Sequence, residues 1–486
     1  MRLPRALALL SFLGLAVPVF TQTASDQGAI ALTRATVIDV KEGKAAADVA
    51  MIVRGNRITA VGRTATVRIP TDARVIDATG KYVIPGLWDM HAHLEQLQAA
   101  TEIDMPLLVA NGVTGIREPS ADCMTTPDCL SRRRTWQQQI ERGEIVGPRL
   151  LAIGGWAANG PRGLPKGVPE FFGTANAEQA RQLVRYFKER NVDFVKVYGN
   201  IPAEAFFAYA DEARKLGLVL MGHEPMIVSA IDASNAGMKS FEHARVFLFN
   251  CFAGAAEFRS VIEKSGWNGP NTLWRRRMVD EYDPAICQEV FRTFVRNKTA
   301  YVPTHLTRKM DAFADNPDYR QDPRSKYVTR AAWKNWNDDA DGMARGDGTA
   351  EGRKSYMDFY RKGLDITRQA YRAGVQVMLG TDSGDSYVFP GFAVHDELQE
   401  LVTAGLTPAE ALKAATWNGA EFLGRTSDSG SVEPGKLADL VVLDANPLLA
   451  IQNSRKIHAV VLNGTYLDRS ALDALLSSAE AAAASR

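Results

Sequence analysis

Short apolar runs broken by turn residues fill residues 28 to 83: AIALTRATVIDV, ADVAMIVRGNRITAVG and ARVIDATGKYVIP. Gly55-Asn56 and Ala78-Thr79-Gly80 punctuate them as hairpin turns would, which predicts small antiparallel β-structure. The same texture returns near the other end, in SVEPGKLADLVVLDANPL and KIHAVVLNGTYL. Two β-rich segments flanking a different middle predict one composite β-sandwich domain built from residues 25–83 and 426–475.

The middle, residues 84–425, changes rhythm. Eight short apolar strands are predicted at Gly86 to His91, Gly112 to Arg117, Arg149 to Gly154, Asp193 to Tyr198, Leu218 to His223, Lys239 to His243, Thr299 to His305 and Val375 to Asp382. Between several of them lie segments such as AEQARQLVRYFKERNV and PAEAFFAYADEARKLG, whose apolar residues recur at three and four, the helical spacing. Strand then helix, eight times over, predicts an α/β protein of the (β/α)8 TIM-barrel class, with its chemistry at the C-terminal ends of the strands. The stretches from Val246 to about Lys298 and from Thr307 to about Lys354 interrupt the rhythm. NPDYRQDPRSK and DDADGMARGDGTAEG read there as loops, suited to lids or substrate recognition. The terminal AEAAAASR reads as a fraying helix end.

Before all of this, MRLPR, the apolar ALALLSFLGLAVPVF and the small, polar TQTASDQ have the three regions of an export signal. Residues 1–24 are therefore expected to be a cleaved signal peptide, with a periplasmic or secreted product and no stable membrane span after cleavage. Lys and Arg total 57 against 56 Asp and Glu, and no long basic tract appears, which gives nucleic-acid binding no support. The four cysteines are even in number, as an oxidising compartment favours. Cys123 and Cys129 bracket a turn-like MTTPD, and Cys251 with Cys287 is the remaining pair; free buried thiols are the alternative for either.

Six residues of one kind of chemistry fall at the ends of the predicted strands: His91 and His93 in MHAHL, Lys196 in FVKVY, His223 in MGHEP, His243 in FEHAR and Asp382 in GTDSG. Imidazole nitrogens and carboxylate oxygens are ligands for a divalent ion such as zinc, and two such ions can share and ionise one water. Side chains alternate along a strand, so His91 and His93 point the same way and can bind one ion. A buried Lys196 must be paired, neutralised or modified. Carbamylation would make it a bridging anion, whereas an unmodified lysine would reach the barrel mouth or bind an anionic substrate. Tyr198 follows Lys196 on the same face and can hydrogen-bond a substrate carbonyl or carboxylate. His305 can stabilise a developing oxyanion, and Arg117 can contact an acidic group or support the site; a structural role is the alternative for all three. His395 and His458 are not expected to be ligands.

H-A-H after P-G-L-W-D, the V-K-V-Y strand, G-H, E-H-A and G-T-D, followed by AGLTPAEALKAATWNGAEFLG and GSVEPGKLADLVVLDANPL, resemble the metal-dependent amidohydrolase superfamily, in its imidazolonepropionase-like and prolidase-like (Xaa-Pro dipeptidase-like) branch. The resemblance implies a barrel with a composite β-sandwich, two divalent ions, most simply zinc, and hydrolysis of C–N bonds. It implies that His91 and His93 bind the first ion, that Lys196 bridges both as an N6-carboxylated lysine, and that His223 and His243 bind the second. Asp382 would bind the first ion and act as general base, then as general acid to the leaving amine. The loop after the third strand, GGWAANGPRGLPKG, departs from the pattern in having no histidine. The expected substrate is a small amide such as a dipeptide or N-acyl amino acid. The alternatives are a cyclic amide, lactone or carbamate, or a non-catalytic binding protein on the same scaffold. Nothing in the sequence opposes a homo-oligomer.

Overall fold

A computed structural model describes residues 28–94, 99–119, 129–266, 269 and 271–486. The expected signal peptide, residues 1–24, lies outside the described residues, as does Cys123. Strand β1 (Ile30–Asp39) is the spine of the terminal sheet. Along one edge it pairs antiparallel with β2 (Lys44–Arg54), which turns through Gly55 into β3 (Arg57–Arg63). Along the other edge it pairs first with β4 (Arg74–Asp77) and then with β5 (Tyr82–Pro85). Both of these pairings are parallel, where the turn residues predicted antiparallel neighbours throughout. The change of partner falls near Arg34, whose backbone is left-handed (φ 58°) within a break in the β1 register.

Seven parallel strands follow: β6 (Leu87–Asp89), β7 (Val113–Glu118), β8 (Arg149–Ile153), β9 (Phe194–Val197), β10 (Val219–Gly222), β11 (Met238–Glu242) and β12 (Ala300–Val302). They form two ladders, β6-β7-β8 and β12-β11-β10-β9. Single parallel bridges join the ladders into a ring: Gly154 with Phe194, Tyr301 with Val377, and Ala92 with Ser383. The eighth stave is thus the segment 377–383, which forms bridges and no continuous ladder. Its Met378 N–H donates to Tyr301 O and its Leu379 O accepts from Met90 N–H, so it fills the gap between β12 and β6. Gly380 on this stave packs so closely that an added Cβ would lie 2.8 Å from the Cβ of His91.

The helices obey the periodicity that predicted them. Ala177–Glu189 is capped by Asn176 and buries Ala180, Leu183, Val184 and Phe187, one stripe facing the strands. The interrupting stretches are mostly helical, contrary to the loop reading. DDADGMARG lies inside the helix Arg330–Gly346 and the closing AEG inside Ala350–Arg372, with Thr329 and Thr349 as N-caps. Exposed glycines and aspartates on a helix's outer face imitate a loop in sequence. In this region Cys251 and Cys287 are bonded to each other, and Cys129 is also in a disulfide.

The terminal sheet is completed by β13 (Leu440–Leu443), β14 (Ile457–Leu462) and β15 (Thr465–Asp468), in the order β15-β14-β13-β5-β1-β2-β3. Leu32, Met51, Val83, Leu440 and Val461, drawn from both ends of the chain, share one apolar core there. The final helix, Arg469–Ala484, is not a fraying end: Leu472, Ala479 and Ala483 are buried, and the last two pack with Ile103 and Leu107. Among the described residues no helix is long and apolar enough to cross a membrane.

Candidate metal centre

Strand β6 delivers His91 and His93 to one side of the ring, as alternation requires. The Nε2 atoms of both lie 3.2 Å from the same oxygen, Oδ1 of Asp382 on the eighth stave. His91, His93 and Asp382 form a group whose ligand atoms all fall within 4.8 Å of one another. The His243 ring is 5.1 Å from that of His91, and the His223 ring stacks 4.3 Å from that of His243. Tyr198 lies 3.9 Å from His223, ring to ring, and the Lys196 Nζ is 4.9 Å from the Tyr198 ring. All six expected residues therefore converge on one spot, from five different staves. His243 (φ 74°) and Asp382 (φ 64°) hold left-handed backbones, a strained conformation for non-glycine residues that the surrounding ring enforces.

Two of the four histidines, His91 and His243, are oriented by a hydrogen-bond partner. His91 Nδ1 meets Glu242 Oε2 at 2.6 Å, which leaves Nε2 facing Asp382. Both carboxylate oxygens of Glu242 in turn accept from Arg117 Nη2 at 2.9 Å, and its Oε1 also accepts from the Ser240 hydroxyl at 2.8 Å. The carboxylate is fully buried, and burial works against its charge. Arg117 and His91 outweigh that cost and hold it down at about 2. Behind β6, Asp89 accepts the backbone N–H of His91 (3.1 Å) and Thr381 (3.0 Å) and the Thr381 hydroxyl (2.6 Å), tying the first stave to the eighth. His243 Nδ1 pairs with Thr304 Oγ1 at 2.8 Å, which leaves its buried Nε2 with no hydrogen-bond partner among the described residues; His223 Nδ1 is in the same condition.

The electrostatics suit a cation. Burial pushes His93 down to about 4 and depresses His223 and His243 well below the ordinary imidazole value, so these rings are neutral donors. His91 is also opposed by burial, yet Asp382 and Glu242 outweigh it and raise its proton affinity. Two carboxylates thus favour a positive charge at this position. Asp382 itself is held well below the usual carboxylate range: burial resists its ionisation, and His91 and His93 more than compensate. Three neutral imidazoles, one imidazole flanked by carboxylates and an ionised aspartate fit divalent metal chemistry. His91, His93 and Asp382 are the group placed to hold an ion, with His223, His243 and Lys196 beside them.

A cavity of about 570 Å³ opens over this cluster, lined by His93, Tyr198, His223, His243 and Asp382 on its floor. Trp156, Asn159 and Arg162, from the histidine-free loop, also line it, as do Arg245, Arg308 and Asp385. His305 is not in the cavity. Its ring is fully buried, with Nδ1 on Glu397 (2.7 Å) and Nε2 on Thr367 (3.0 Å), so the expected oxyanion contact gives way to a structural role. Arg117 likewise supports the site through Glu242 and does not reach the cavity. His395 packs between Ser454 and Asn111, and His458 pairs with Asp444, both away from the cluster. The supporting residues Glu242, Asp89, Thr304 and Glu397 were not expected from sequence. The first two carried a faint signal, a carboxylate one or two positions before a strand-end histidine.

Residues 344–467, which include Asp382 and the strands β13 and β14, match the family model named Amidohydrolase family. The imidazolonepropionase of Shouchella clausii is 37% identical over 98 residues, 19% of this chain and 21% of that protein, so this match spans about a fifth of the relative's length. The imidazolonepropionase of Alkaliphilus metalliredigens is 24% identical over 421 residues, 84% of this chain and 86% of that protein. Among solved structures, a Xaa-Pro dipeptidase with methionine bound in its active site superposes with a TM-score of 0.64 at 19% identity, covering 90% of this chain and 100% of that one, which shows a shared fold.

Proposed function

We propose that this protein is an exported, metal-dependent hydrolase of small amides, with dipeptides or N-acyl amino acids as its substrates. The observation that carries the reading is the convergence of His91, His93 and Asp382 within 4.8 Å at the floor of a cavity, with His223 and His243 beside them. The family match over residues 344–467 and the shared fold with a Xaa-Pro dipeptidase support it, and the leader-like N-terminus supports export.

Bound divalent ions, zinc in our reading, would lower the pKa of water towards neutrality and polarise the scissile carbonyl. The chain's own residues do the rest. Glu242 fixes the ring of His91 so that its Nε2 faces Asp382, and Thr304 holds the ring of His243 through Nδ1. Lys196, carboxylated in our reading, would add a buried anionic ligand beside the histidines. Asp382, ionised across the physiological range, takes the proton from the attacking water and returns it to the departing amine nitrogen. Tyr198 lies at the cavity floor where it can donate to the substrate carbonyl.

The test is amine release from a panel of dipeptides and N-acyl amino acids, with zinc-loaded protein and again after chelation. Chelator-sensitive cleavage is expected. Asp382→Asn should lower turnover by about 10² to 10⁴-fold, the usual worth of a positioned acid–base group, with the far-ultraviolet circular dichroism unchanged. Full activity in that variant would remove the assigned role. Absence of cleavage by protein shown to hold metal would transfer the proposal to cyclic amides, lactones or carbamates.

A further inference from the structure

We infer that the wall of the cavity beside Asp382 is an anion subsite built on Arg245, with Arg308 next to it, and that the substrate enters with a free carboxylate. The inference rests on the reading of the cluster as an amide-hydrolase centre and narrows its substrate class.

Arg245 stands two residues beyond His243, on the turn that leaves β11, and its side chain lines the cavity. Its guanidinium makes no hydrogen bond and no ion pair with any described residue, although the groups around it are all engaged. Arg308 is held by Asp311. Arg162 lies over the Trp156 ring at 4.8 Å. Asp382 is taken by the two histidines at 3.2 Å, and Asp385 accepts the Ser386 N–H at 2.8 Å. A guanidinium withdrawn from bulk water without a hydrogen-bonded counter-charge is costly; Asp311 and Asp382 act on Arg245 only from a distance, and the neighbouring Arg308 repels it. An incoming anion offsets both. The planar fork of an arginine matches a carboxylate bidentately, which a neutral amide or lactone cannot reproduce. Arg245 lines the same cavity as His223, His243 and Asp382, so a carboxylate held there shares that cavity with the reacting centre. That suits the terminal carboxylate of a dipeptide or of an N-acyl amino acid.

The experiment compares binding of four N-acetyl-L-amino acids (Ala, Leu, Phe, Pro) with that of their carboxamides, by calorimetry on the zinc-loaded full chain, with zinc content measured for each protein. The carboxylate form is expected to bind at least about 10-fold more tightly than its carboxamide for one or more pairs, the least a charge-assisted bidentate contact should give. Arg245→Gln should erase that preference without changing zinc content, and Arg245→Lys, which keeps the charge and loses the fork, should retain part of it; the lysine variant carries the test if the glutamine variant does not fold. Equal binding of acid and amide, no binding of any pair, or a preference that survives Arg245→Gln and so belongs to the metals, overturns the subsite. The two proposals separate cleanly. A preference that depends on Arg245, with no amine released from any compound, leaves the subsite and removes amide hydrolysis. Amine release without the preference does the reverse.

Discussion

Arg117 shows how much of the centre depends on one side chain that never touches the cavity. It is fully buried, and its fork neutralises Glu242, which orients His91. Arg117→Met keeps the apolar volume but strands a buried carboxylate, so a loss of about 3 to 5 kcal/mol is expected in urea unfolding, together with weaker zinc retention in dialysis. His395 gives a separate handle on pH. It is buried and neutral, with burial depressing it from the ordinary 6.5 to about 4. Between those values the unfolded chain binds a proton that the folded one refuses. Its contribution is therefore complete above pH 6.5 and is lost as pH falls towards 4, a difference of about 3 kcal/mol. His395→Gln should make the urea midpoint less sensitive to acid between pH 6.5 and 4 than in the parent protein; an unchanged slope would contradict this. The six strand-end residues were legible in the sequence because ligand chemistry and strand alternation are both local. Glu397 was not, since it reaches His305 and the backbone N–H groups of residues 305 and 306 across about 90 positions of chain.

At the scale of elements, the eighth stave is the weak point and the functional one. It makes bridges where its neighbours make ladders, yet it carries Asp382 and closes the ring against β6. Gly380 permits that approach: a Cβ there would meet Val302 Cγ1 at 2.4 Å as well as the Cβ of His91. Gly380→Ala should therefore cost about 1 to 3 kcal/mol through overpacking and reduce zinc content more than it reduces helix signal, read by metal analysis and circular dichroism on the same sample. The apolar run VQVMLGTD announced a strand in sequence, and the chain does run as a stave; the missing ladder follows from the glycine and the left-handed Asp382, which turn the backbone out of register. The helices between Val246 and Arg372 went the other way. Their polar faces read as loops, because a helix whose outer face is rich in Asp, Gly and Arg shows its apolar stripe only against the partner that buries it.

Across the whole molecule, the two ends of the chain meet. β13 pairs with β5, and the final helix packs on the barrel helix Met105–Ala110, with Arg486 paired to Glu102. Removing residues after Asp468 would expose the surfaces that Leu472, Ala479 and Ala483 cover, and a loss of about 3 kcal/mol or more is expected, measurable as a lower melting temperature with zinc content retained. The sequence by itself determined the α/β alternation, the β-rich flanks and the types and order of the six candidate ligands, because hydrophobic period and donor chemistry are written residue by residue. Only the tertiary structure decided that His305 turns away from the cavity, that Glu242 and Thr304 hold the rings of His91 and His243, and that Arg245 lines the cavity with no hydrogen-bond partner among the described residues. Each of these depends on which staves become neighbours when the ring closes, and neighbours brought together by closure leave no periodic trace along the chain.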